Sequence, residues 1–266
     1  MNFKIIISII LFLSTLVSCN EYRKILKTPG YEKKLTAALK YYDDEDYFKA
    51  STLLKDIKPL VKGSDSSETV DFYFAYSLYN LKQYDLSAKY FKGFIELFSR
   101  SERAVEAEYL YAFSLYKGSP NSNLDQSSTV EAISAMQNFI NKHPYSEYSS
   151  GANQIISELQ IKLETKNFEN AKQYYKTRNY KSAIIALKNF ERDFPDSSFN
   201  EEGSFLRILS QYIISENSFE SLQEERFREV IKLYIEFIDK YPQSPFIIEA
   251  EKMYVESLDL LTKFAK

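Results

Sequence analysis

The sequence predicts an all-α fold, a solenoid of about five helical hairpins closed by a C-terminal capping helix. Three observations predict it. Apolar residues recur at helical spacing through most of the chain. A helix ending in which Phe is followed five residues later by Pro, and then by Ser, appears three times. The composition is poor in turn formers, with 6 Gly and 7 Pro in 266 residues against 22 Tyr and 20 Phe. A chain of many short strands needs more Gly and Pro than that.

The first element precedes the fold. Lys4 is followed by a nearly unbroken apolar run from Ile5 to Val17, a short basic region and an apolar core laid out as in a secretory signal. The run falls short of the roughly 20 residues a membrane-spanning helix needs. Its end, Leu16-Val17-Ser18-Cys19, resembles the lipobox of bacterial lipoproteins. That resemblance implies cleavage before Cys19 and acylation of Cys19, the single cysteine of the chain. The expected organisation is a lipoprotein signal peptide over 1–18 and a lipid-anchored linker over 19–31. A repeat domain then covers 32–266, with N-terminal repeats over about 32–146 and C-terminal repeats over 147–266.

The repeats show best at their ends. Pro144, Pro195 and Pro242 close three similar segments. Twelve residues before each stand Ala132, Ala183 and Val230; eight before, Met136, Leu187 and Tyr234; five before, Phe139, Phe190 and Phe237. Those positions share one helix face, and a small residue at the first lets a neighbouring helix approach closely. The pattern resembles the second helix of the tetratricopeptide repeat, with Tyr180, Ala183, Leu187, Phe190 and Pro195 its best match. Phe227 stands in the Tyr slot of the last copy, whereas Thr129 departs there. Two earlier copies lack the proline: Tyr47, Ala50, Leu54 and Ile57, then Tyr84, Ser87, Phe91 and Phe94. First helices align as well, on Ala38, Ala75 and Ala112. The expected helices cover 32–42, 47–60, 68–81, 84–98, 102–116, 129–142, 148–177, 180–193, 201–214, 224–240 and a capping helix over 247–264. Residues 63–67 are expected to be a loop with a helix cap, and 118–128 a longer one.

By the same resemblance, first helices line a groove. Phe72, Tyr76 and Tyr79 of the second repeat, and Tyr109, Phe113 and Tyr116 of the third, are the candidate groove residues. Such rings bury large area at small entropic cost and suit an extended peptide.

Other chemistries find little support. The formal charge of −3 argues against nucleic acid as a partner. One His and one Cys exclude a conventional zinc site, and no cofactor is expected. His143 reads as a surface loop residue, and Asp43, Asp44, Glu45 and Asp46 as a solvated turn. Neither a Gly-rich phosphate loop nor a nucleophile motif occurs, so the chain is not expected to be an enzyme.

Lipobox, repeats beginning soon after Cys19 and the Phe-to-Pro-to-Ser endings together resemble the outer-membrane protein assembly lipoproteins, the BamD/YfiO/ComL-like family. The resemblance implies a non-catalytic scaffold of the β-barrel assembly machinery on the periplasmic face of the outer membrane. The implied partners are the main barrel subunit, met through its periplasmic domains by the C-terminal repeats, and unfolded outer-membrane protein segments, met by the N-terminal repeats. Outer-membrane lipid is the third, through acylated Cys19. The loop around Asn121 and Ser122 and the segment 216–225 look longer than the compact repeat. Two rivals are another periplasmic repeat adaptor for envelope constriction or cell-wall coordination, and a glycan-uptake binding lipoprotein. The absence of Trp counts against the second, the early start of the repeats against the first.

Overall fold

A computed structural model describes residues 21–264; the expected signal peptide and Cys19 lie outside the described residues. Residues 21–26 are helical. Eleven helices follow: α1 (Glu32–Asp43), α2 (Tyr47–Ile57), α3 (Ser66–Asn80), α4 (Tyr84–Leu97), α5 (Ala104–Gly118), α6 (Ser127–Lys142), α7 (Ala152–Lys176), α8 (Tyr180–Asp193), α9 (Asn200–Glu216), α10 (Glu220–Lys240) and α11 (Ile247–Phe264). No strand occurs among the described residues. The fold is the all-α, tetratricopeptide-like helical-hairpin solenoid that the repeats predict, with α11 as its cap.

The residues that mark the repeats are the ones that close the packing. Ala38, Ala50, Ala75, Ala112, Ala132, Ala183 and Val230 are fully buried, as is Ser87 in the same slot of its copy. Ser87 uses that closeness: its hydroxyl donates to the Ala75 carbonyl at 3.1 Å and lies 3.1 Å from the Ser114 hydroxyl, tying α4 to α3 and α5. Replacing Ser87 by Ala should cost about 1–3 kcal/mol, because the buried Ser114 hydroxyl loses that partner. Chemical denaturation of the two proteins checks it.

Turns inside a hairpin follow one rule. Glu45, Lys82 and Arg178 adopt left-handed backbone, with φ of 59°, 59° and 63°. Around each, three consecutive amides return to the helix just ended; Asp46 N, Gln83 N and Asn179 N donate to Tyr41 O, Leu78 O and Tyr174 O. This is the Schellman ending, built here without glycine. After it comes the Tyr that opens the second helix: Tyr47, Tyr84 or Tyr180.

Turns between hairpins follow another. His143, Phe194 and Tyr241 precede the three prolines and leave the helical region, with φ near −130°, as the proline ring requires of its predecessor. The following serines then cap what comes next. Ser146, Ser197 and Ser244 accept through Oγ from the amides of Tyr148, Phe199 and Phe246 at 3.2–3.3 Å. Ser101 accepts from Arg103 N at 2.9 Å in the same way, without a proline.

The described residues divide into two compact units, one made of 21–120 and 125–159, the other of 121–124 and 160–264. The division between 159 and 160 falls inside α7. Its first turns explain this: Ala152, Ile155, Ile156 and Leu159 bury with Ala112, Ala132 and Met136, completing the third hairpin's core. In the second unit, Phe168, Leu187, Phe190, Ile208, Phe227 and Phe237 form the centre. Glu191 there accepts from both Arg207, at 2.9 Å, and Lys240, at 2.6 Å, joining α8, α9 and α10. The cap α11 buries Ala250, Met253 and Ser257.

Candidate peptide-binding surface

In the first unit, α1, α3 and α5 are the first helices of consecutive hairpins. Aligned on Ala38, Ala75 and Ala112, they place aromatic residues at matching heights, and the rings touch from one hairpin to the next. The Tyr42 ring lies 4.8 Å from Tyr73 and 5.8 Å from Tyr76. Tyr76 is 6.1 Å from Tyr79, and Tyr79 is 6.1 Å from Phe113 across to the third hairpin. Phe113 stacks on Tyr109 at 5.2 Å, and Tyr109 on Tyr148 at 4.7 Å. Phe113 also lies 5.6 Å from Tyr116. Such edge and stacked pairs hold rings in fixed orientation.

Five of the six expected groove residues, Tyr76, Tyr79, Tyr109, Phe113 and Tyr116, stand in this row and are half-buried. Phe72 does not. It is 3% exposed and its ring sits against Phe94 at 5.4 Å and Phe91 at 5.9 Å. The reason is that α3 is enclosed on most of its circumference, burying Val70, Asp71, Phe72, Phe74, Ala75, Ser77 and Leu78. Tyr73, one position on, takes the surface place. Four row residues were missed: Tyr42, Tyr73, Tyr148 and Tyr84, whose ring lies 5.7 Å from Tyr79. Tyr42 carried a signal, since it stands four residues after Ala38, as Tyr79 does after Ala75 and Tyr116 after Ala112.

The polar ends of these rings are the informative part. The hydroxyls of Tyr76, Tyr79 and Tyr109 have no hydrogen-bond partner among the described residues, whereas Tyr116 donates to Glu158 at 2.6 Å. Burial raises the pKa of all three hydroxyls above the usual tyrosine value; that of Tyr79 is pushed up to about 12. They are therefore neutral donors at physiological pH. Glu106 sits among them. Burial raises its carboxyl pKa, opposed by Arg103 and aided by Glu147, and its charge bears on Tyr76 and Tyr148. An acid whose folded pKa is raised costs stability once ionised. That cost is absent below the unfolded pKa and complete above the folded one. Stability should therefore fall as pH rises through that window, and Glu106→Gln should remove this component, read from denaturation midpoints across the acid range.

Elsewhere the chemistry is structural. Asp46 caps α2, accepting from Lys49 N at 3.2 Å, so the acidic turn is a helix cap. His143 is not a free loop residue: it ends α6 with Nε2 2.8 Å from Glu108 Oε2. Among the described residues no group of three or more His, Cys, Asp or Glu is placed to hold a metal ion, and no helix is long and apolar enough to cross a membrane. Cys19 lies outside the described residues.

The model of one family, described as "YfiO: Outer membrane lipoprotein", matches residues 31–174 and 163–264, together nearly all of the described fold. The chain belongs to the YfiO family. Among curated proteins none matches it in sequence. A YfiO-family lipoprotein is a scaffolding protein of the outer membrane rather than an enzyme, in keeping with a surface built of rings and neutral donors. The match takes in both units, so the aromatic row and the second unit lie within the family's fold.

Proposed function

We propose that the chain is a non-catalytic scaffold of the β-barrel assembly machinery, held by acylated Cys19 on the periplasmic face of the outer membrane. Its first unit receives unfolded segments of outer-membrane proteins along the aromatic row. Its second unit engages the main barrel subunit through that subunit's periplasmic domains. The observation that carries the reading is the row itself, from Tyr42 to Phe113 and Tyr148, with unpartnered hydroxyls on Tyr76, Tyr79 and Tyr109. A barrel segment before folding is an extended chain of alternating apolar and polar residues with unmet backbone carbonyls. Fixed rings can cover its apolar side chains, and tyrosine hydroxyls can donate to its carbonyls.

Affinity capture of the native protein from envelopes in mild detergent, with mass spectrometry of what co-purifies, tests the assembly role. A large barrel protein with periplasmic repeat domains is expected. Recovery of cell-wall enzymes or a glycan transporter in its place would favour another periplasmic adaptor and remove this reading.

A further inference from the structure

Residues 21–27 present two unlike faces. Tyr22, Ile25 and Leu26 pack against the core formed by α1, α2 and α3. The Tyr22 ring meets Tyr41 edge-on at 5.8 Å, and Lys49 Nζ lies 5.8 Å from its centre. Thr28 closes the turn, its amide donating to Ile25 O and its hydroxyl to Lys24 O, each at 3.0 Å. This segment thus packs on the first hairpin. On the other face Arg23, Lys24 and Lys27 are exposed, with no ion pair among the described residues and only Glu21 as an acid between residues 21 and 27. Lys33, also exposed, borders the same end in a cleft it shares with Thr28, Pro29, Tyr31 and the exposed acid Glu32, so the cationic face proper is that of Arg23, Lys24 and Lys27. A cationic face is a local departure in a chain whose formal charge is −3.

Cys19 stands two residues before Glu21, at most about 7 Å of fully extended chain. That is close to the depth of one lipid headgroup layer and within the Debye length of about 8 Å at physiological salt. We propose that the first hairpin has no free tether and lies directly on the lipid surface, with Arg23, Lys24 and Lys27 set against lipid phosphates. The placement rests on the reading of Cys19 as the acylated residue. The anchor supplies the proximity, and three cations orient the domain once it is there.

The lone cysteine allows a direct test. The chain from Cys19 onward is coupled through that thiol to a maleimide phospholipid in vesicles containing anionic phosphatidylglycerol. Lysine acetylation by a water-soluble reagent is then followed by mass spectrometry. Lys24 and Lys27 should react several-fold more slowly on vesicles than in the uncoupled chain, and exposed Lys188 of the second unit at an unchanged rate. Protection should weaken on vesicles of phosphatidylcholine alone. Unchanged reactivity of Lys24 and Lys27 on anionic vesicles would overturn the proposal. The mass of the N-terminal peptide from cell membranes tests the anchor separately. An unacylated Cys19 would sink the anchoring reading and this placement in the cell, whatever the vesicles show.

Discussion

Phe91→Ala should destabilise the protein by about 3–5 kcal/mol, the range for deleting a fully buried aromatic ring. Phe91 is 0% exposed at the centre of α4. Its ring lies 5.9 Å from Phe72 and 6.1 Å from Tyr76. Truncation opens a cavity under the aromatic row and costs the transfer energy of the ring besides. The matched control is Leu97→Ala at the end of the same helix. Leu97 is 72% exposed, and its loss should change stability by no more than about 0.5 kcal/mol. Denaturant unfolding of the intact chain compares the two. Equal midpoints would mean that Phe91 does not bear on the hairpin core.

Replacing Tyr76, Tyr79 and Tyr109 together by Ala should weaken binding of an unfolded outer-membrane protein segment at least about tenfold, or 1.4 kcal/mol. Central aromatic residues carry most of the energy at such surfaces. The row also loses its internal contacts, because Tyr79 links the second hairpin to Phe113 of the third. Conversion of the same three to Phe separates the two contributions. It keeps the rings and removes only the unpartnered hydroxyls, so a smaller loss is expected, with stability unchanged. Tyr145→Ala, at a fully exposed ring off the row, should leave binding as it is. Titration of a labelled segment followed by anisotropy reads all three variants. A triple variant that binds as tightly as the parent would exclude the row as the binding surface.

Most of the fold was legible because the repeat positions are those where packing tolerates least. A helix crossing close to a neighbour accepts only a small residue, hence Ala38, Ala75 and Ala112. A chain leaving a helix before proline must turn, hence the endings at His143, Phe194 and Tyr241. Boundaries were less legible where the backbone, not the side chain, sets the outcome. The turns at Glu45, Lys82 and Arg178 use left-handed backbone without glycine, so no residue type marks them. The seventh helix starts at Ala152 rather than 148, because Ser146 first caps a single 3-10 turn over Glu147–Ser149. The tenth starts at Glu220, earlier than Glu224 and its neighbours suggested. Helical spacing on α3 and α5 placed five of the six candidate residues in the aromatic row, Phe72 being the exception. Phe72 and Tyr73 are adjacent, and only their neighbours in α4 decide which ring turns inward. Tyr148 could not be found by spacing at all, since it reaches Tyr109 from a different element.

Site-specific photocrosslinking in growing cells tests the central claim most directly. A photoreactive side chain at position 79 or 113, on the row, should capture outer-membrane proteins during their assembly. The same group at position 48 of α2, where Phe48 is 66% exposed and outside the row, should capture far less. Equal capture at position 48, or no outer-membrane protein captured from positions 79 and 113, would contradict the account.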